Sequence, residues 1–66
     1  MTLSERIVES LRQRRQCAQH IAEAVGEPLD NIWPALVRLA DCGRAYPLAR
    51  MQYIQGIGRA RLWSAA

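Results

Sequence analysis

The sequence predicts a mainly α domain with a small β-hairpin: three helices, then a two-stranded wing. Three observations carry this. Apolar residues recur three or four positions apart from Leu3 to Leu11 and again from Ile21 to Leu39, the period of helices that each bury one face. Gly26 and Gly43 stand where those helices must stop, because glycine enters a positive φ without steric cost. After Gly43 the helical period gives way to short stretches of alternation around Gly56-Ile57-Gly58.

The first helix opens on Thr2-Leu3-Ser4-Glu5, which has the form of a capping box. The Thr hydroxyl takes an amide of the first turn, and Glu5 reaches back to the cap amide. Leu3, Ile7, Val8 and Leu11 line its inner face, and it ends near Arg12 to Arg15, where the macrodipole favours cations. Arg12, Arg14 and Arg15 read as a solvated helix end rather than as a binding patch. The second helix spans roughly Cys17 to Val25, with Cys17, Ile21 and Val25 inward. Gln16 is a poor N-cap for it. His20 points outward, and nothing in the sequence pairs with it. Ala22 falls where two crossing helices come close.

The third helix begins between Leu29 and Asn31 and runs to about Cys42, with Ile32, Leu36 and Leu39 inward and Gly43 as its cap. Pro34 bears on its start. Proline is tolerated in the first turn but costs about 3 kcal/mol in a helix interior. A start at Asn31, as N-cap, is therefore expected, and a start at Pro28 would require a kink at Trp33. Two helices joined by a short turn containing Gly form a helix-turn-helix, whose second helix often enters the DNA major groove. Beyond Gly43, Ala45–Leu48 and Arg59–Ser64 read as strands joined by a long basic loop that carries Arg50. Pro47 confines the first of them to a sheet edge. Gly56-Ile57-Gly58 opens a strand, not a helix, and is no dinucleotide fingerprint.

Size and composition bound the function. Sixty-six residues, half of them apolar, make one globular domain over 1–66 with a small core and little stability to spare. No apolar run has the length of a membrane span and the N-terminus lacks a signal-peptide core, so a cytoplasmic protein without membrane contact is expected. Cys17 and Cys42 have one histidine between them, too few for a zinc site without carboxylates. They read as reduced thiols, and no metal or cofactor is expected. With a single His and no nucleophile near it in sequence, an enzyme is not expected either.

The net charge is +3 and all nine basic residues are arginine. Arginine forks match phosphate and guanine, although a GC-rich genome produces the same bias. The distribution is more telling. Residues 1–33 carry four Arg against five acids, and residues 34–66 carry five Arg against Asp41 alone.

Three helices followed by a hairpin resembles the winged helix-turn-helix of bacterial MarR- and ArsR-type regulators, and loosely the small PapI- and FaeA-type regulators. The residues that carry the resemblance are Ile21, Ala22 and Gly26, then Ile32, Leu36, Leu39 and Gly43, then Arg44–Leu48 and Gly58–Trp63. It implies a small DNA-binding transcriptional regulator, sequence-specific or architectural, acting on double-stranded DNA alone, as a homodimer or with a protein partner. The implied contacts are Asn31, Trp33 and Arg38 from the third helix and Arg44, Arg50, Arg59 and Arg61 around the wing. The start of the third helix departs from the family pattern. Asp30, Trp33, Pro34 and Val37 replace the usual polar and basic residues. Trp33 either folds onto the core or, if exposed, has the character of a protein-contact anchor. The competing function is accordingly a protein-interaction module, an adaptor or phage-type modulator. It would use Trp33, Pro34 and Val37, joined by Met51, Tyr53 and Ile54 of the wing loop. RNA binding is a third alternative.

Overall fold

The computed structural model describes residues 1–66 as three helices and a three-stranded antiparallel sheet. In chain order these are α1 (Leu3–Gln13), β1 (Gln16–Cys17), α2 (Ala18–Val25), α3 (Leu29–Asp41), β2 (Ala45–Ile54) and β3 (Gly58–Ala65). The sheet order is β1-β3-β2, so the final strand lies in the middle. The fold is thus mixed α/β rather than mainly α with an isolated two-stranded hairpin. The third strand, β1, has only two residues, which pair Gln16 with Trp63 and Cys17 with Leu62. It fastens the hairpin to the helices. No helix is long and apolar enough to cross a membrane.

Each helix end has a local chemical cause. At α1, the Glu5 amide donates to the Thr2 hydroxyl oxygen (3.2 Å) and the Thr2 amide donates to the Glu5 carboxylate (3.2 Å), the reciprocal cap the sequence predicts. The Thr2 amide and the Thr2 hydroxyl (3.0 Å) both donate to the Glu5 carboxylate and, with a smaller contribution from the Arg44 charge, hold it below the ordinary glutamate range. A lowered folded-state pKa stabilises the fold at pH above the unfolded value, and that contribution is lost as pH falls through the folded one. Thermal melts are expected to shift downward on acidification below the usual carboxylate range, and Glu5→Gln is expected to remove this part of the slope.

The far end of α1 is closed by Gln16. Its buried side-chain amide donates to the Ser10 carbonyl (2.9 Å), the Ser10 hydroxyl (2.8 Å) and the Arg14 carbonyl (3.3 Å). Gln16 therefore serves the helix before it, not the one after; the N-cap of α2 is Cys17, with no side-chain cap bond. The C-terminus of α2 is tied to α1 by the Arg6 guanidinium, which donates to the Val25 carbonyl.

The start of α3 differs from the expectation. Its N-cap is Pro28, not Asn31, and Pro34 lies inside the helix. Pro34 has no N–H for the Asp30 carbonyl, a loss the sequence weighs against this start. Burial outweighs it. The earlier start gives Ile32 a helical position from which it is fully buried with Leu36. The C-terminus follows the glycine rule: Gly43 has φ 71°, with Arg44 N–H on the Leu39 carbonyl (2.9 Å) and Gly43 N–H on the Ala40 carbonyl (3.1 Å), a Schellman motif. Nothing crowds a Cβ at Gly43, so only backbone strain opposes a side chain there. Gly43→Ala is expected to lower stability by about 1–2 kcal/mol in a denaturant titration.

The core draws on every layer: Ile7, Val8 and Leu11 from α1, Ala18, Ile21, Ala22 and Val25 from α2, Ile32, Ala35, Leu36 and Leu39 from α3, Ala45 from β2 and Trp63 from β3. Trp63 is its one aromatic. Its Nε1–H is buried without a partner.

The hairpin is longer and tighter than predicted. Residues 49–54, expected in a loop, continue β2, and only Gln55–Ile57 connect the strands, closed by Ile57 N–H on the Ile54 carbonyl (3.0 Å). The irregularity that hides this strand lies at Leu48–Arg50. Pro47 pairs with Trp63 and Met51 with Arg61, so three residues of β2 oppose Leu62 alone, a bulge that re-aims the strand.

Candidate nucleic-acid interface

Direct antiparallel partners share a face of the sheet. The pairs Ala45–Ala65 and Pro47–Trp63 lie on the face that meets the helices; beyond the bulge, Met51 pairs with Arg61 and Tyr53 with Arg59. Alternation along β3 puts Arg59 and Arg61 on the same face as Trp63. The hairpin thus extends its inner face past the core, where it carries two arginines with Tyr53 and Met51 opposite them. Ile54 pairs with Gly58 on the other face. The apolar wing-loop cluster of Met51, Tyr53 and Ile54 therefore does not form as one patch.

The four hairpin arginines are not equivalent. Arg59 is exposed, across from Tyr53, which is itself 77% exposed. Arg50 is exposed within the bulge. Arg61 is exposed but engaged. Its Nη1 donates to the Leu48 carbonyl (2.7 Å) and the Ala49 carbonyl (3.0 Å), so its guanidinium satisfies the acceptors that the bulge releases. Arg44 lies in the turn before β2, and its charge reaches Glu5 at the start of α1. It belongs to the base of the hairpin rather than to the tip. From Cys42 to Ala66 the chain holds these four arginines and no Asp or Glu. The molecule's single ion pair, Arg12 with Glu9 (3.6 Å), lies in α1. No carboxylate forms an ion pair with Arg50, Arg59 or Arg61.

Helix α3 has a different character. At 100° per residue, Asp30, Pro34, Val37 and Asp41 line the face opposite Ile32 and Leu39. All four are exposed. Trp33 stands to one side of this line and is 46% exposed, with Leu29 and Val37 also open to solvent. Trp33 is therefore not the core aromatic; Trp63 takes that place. Asn31 and Arg38 stand on the other side, exposed. The Asn31 side-chain amide donates to the Glu27 carboxylate (3.2 Å), so the adenine-reading group expected at an N-cap lies within the first turn and already has a partner. Of the expected α3 contacts, only Arg38 is a free cation, in the last turn.

Two side-chain roles, those of Arg6 and Gln16, are not visible in the sequence, and Tyr53, expected in an apolar cluster, stands instead across from Arg59. Arg6 and Gln16 close helix ends through long-range geometry that no local pattern encodes. Tyr53 does carry a local signal, since Met51 and Tyr53 alternate with Gln52 as Arg59 and Arg61 do with Ala60. A shallow open depression of about 290 Å³ between α1 and α2 is lined by residues including Arg6, Glu9, Ser10 and Gln13, and no hairpin residue borders it. Both cysteines are free, Cys17 buried and Cys42 exposed. Comparison with protein families, with characterised proteins and with solved structures returns no match for this chain.

Proposed function

We propose that this chain is a winged helix-turn-helix domain that binds double-stranded DNA mainly through its hairpin, as a small regulator. The observation that carries the proposal is the acid-free ribbon with Arg50 and Arg59 exposed and unpaired. Phosphate contacts supply the sequence-independent part of DNA affinity, and a two-stranded ribbon is narrow enough to follow a groove. Tyr53, opposite Arg59, adds an aromatic face and a hydroxyl at the same place. The element order, with β1 fastening the central strand β3 to the helices, supports the winged-helix assignment.

The outer face of α3 supports little base reading. Asp30 and Asp41 repel phosphate, and Pro34 and Val37 offer no hydrogen-bond donor. Contact through the hairpin alone predicts modest specificity. The test is an NMR titration of the full chain with a random-sequence duplex at about 50 and about 200 mM salt. Shifts concentrated in β2 and β3 that fade at the higher salt are expected; an absence of shifts at the lower salt overturns the proposal.

A protein-interaction module is the second reading. The exposure of Leu29, Trp33 and Val37 along α3 favours it.

A further inference from the structure

We infer that two copies of this chain dock through the outer faces of α3, antiparallel about a two-fold axis near Pro34. The inference is independent of DNA binding. A helix that is apolar on more than its core-facing side is ordinarily covered on both. Leu29, Trp33 and Val37 follow one another at intervals of four and are 37, 46 and 56% exposed, while Ile32, Leu36 and Leu39 of the same helix are buried. Tryptophan is enriched among the anchors of protein interfaces.

Charge and symmetry select a second copy as the occupant. A two-fold contact must be self-complementary. An antiparallel pairing sets residues equidistant from the axis against each other. Asp30 and Arg38 are each four residues from Pro34, and neither has an ion-pair partner within the chain. The axis at Pro34 therefore brings Asp30 of one copy to Arg38 of the other, twice. Between these ends lie Pro34 and Val37 of both copies, and the two-fold sets the Trp33 side of one helix against the Trp33 side of the other.

The arriving Arg38 guanidinium meets the Asp30 carboxylate with a fork of donors suited to it. Asp41 lies beyond the overlap. Docking leaves both hairpins free, and two linked ribbons hold a duplex more firmly than one through effective concentration alone. The overlap of about ten residues is short, so the association is weak and depends on concentration.

The test is sedimentation velocity of the full chain without nucleic acid, from about 10 µM to about 1 mM, the range suited to a small interface. The weight-average mass is expected to rise from 7.5 kDa towards twice that value. Val37→Glu, at an exposed position, is expected to keep the helical circular dichroism and abolish the rise. Asp30→Arg and Arg38→Asp singly are expected to weaken association at least tenfold, and the double exchange to restore it. A mass fixed at that of one chain throughout overturns the inference. So does association that survives Val37→Glu, or a double exchange that fails to recover it.

Discussion

Replacing Arg50 and Arg59 together by alanine is expected to weaken duplex binding at low salt by about tenfold per guanidinium. The same change is expected to reduce the slope of log affinity against log salt by roughly 1.8, about 0.9 for each phosphate that is no longer neutralised. Both side chains are exposed and free of intramolecular partners, so stability is expected to stay within about 0.5 kcal/mol of the parent. Arg14→Ala with Arg15→Ala provides the control. It removes the same two charges from exposed positions outside the hairpin. Fluorescence anisotropy with a labelled random duplex over a salt series reads both. Equal losses in the two double variants assign binding to net charge and remove the hairpin from the proposal.

Arg61 behaves differently within the same comparison. Its guanidinium satisfies the Leu48 and Ala49 carbonyls, so Arg61→Ala reopens the bulge. Stability is expected to fall by about 1 kcal/mol, with weaker DNA binding following from the altered hairpin. Calorimetric melting separates this loss from the stability-neutral loss at Arg59.

The helices were legible because their burial is periodic. Ile21, Val25, Ile32, Leu36 and Leu39 fall on the spacing that the core requires and are buried, whereas Leu29, on the same spacing in the sequence, is 37% exposed at the start of α3. The glycine stops were legible for the same local reason, a positive φ at Gly26 and Gly43. Features set by partners distant in sequence were not. A two-residue strand such as β1 has no period of its own; it exists because β3, far along the chain, offers Trp63 and Leu62 as partners. The start of α3 followed the proline rule in sequence, but the structure obeys the burial of Ile32 instead. The length of β2 was masked by its bulge. The arginines could be counted from the sequence, but not sorted, since only the fold reveals that Arg61 is engaged and that Arg44 lies near Glu5.

The two tryptophans provide the second large effect. Trp63→Ala is expected to unfold the protein at ordinary temperature. The indole is buried in the core, where β3 packs against α1 and α2, and removing a buried Trp costs about 3–5 kcal/mol. A single core of this size supplies no more than about 3–5 kcal/mol in total. Trp63→Phe is expected to be far milder, because it keeps most of the ring and also removes the unpartnered Nε1–H, a group whose burial is itself unfavourable. Trp33→Ala is expected to change stability by less than about 0.5 kcal/mol, since the side chain is half exposed and alanine favours the helix. Far-ultraviolet circular dichroism against temperature distinguishes the three variants. An unfolded Trp33→Ala alongside a folded Trp63→Ala would exchange the roles of the two residues, place α3 in the core through its opposite face, and remove the exposed stripe on which self-docking depends.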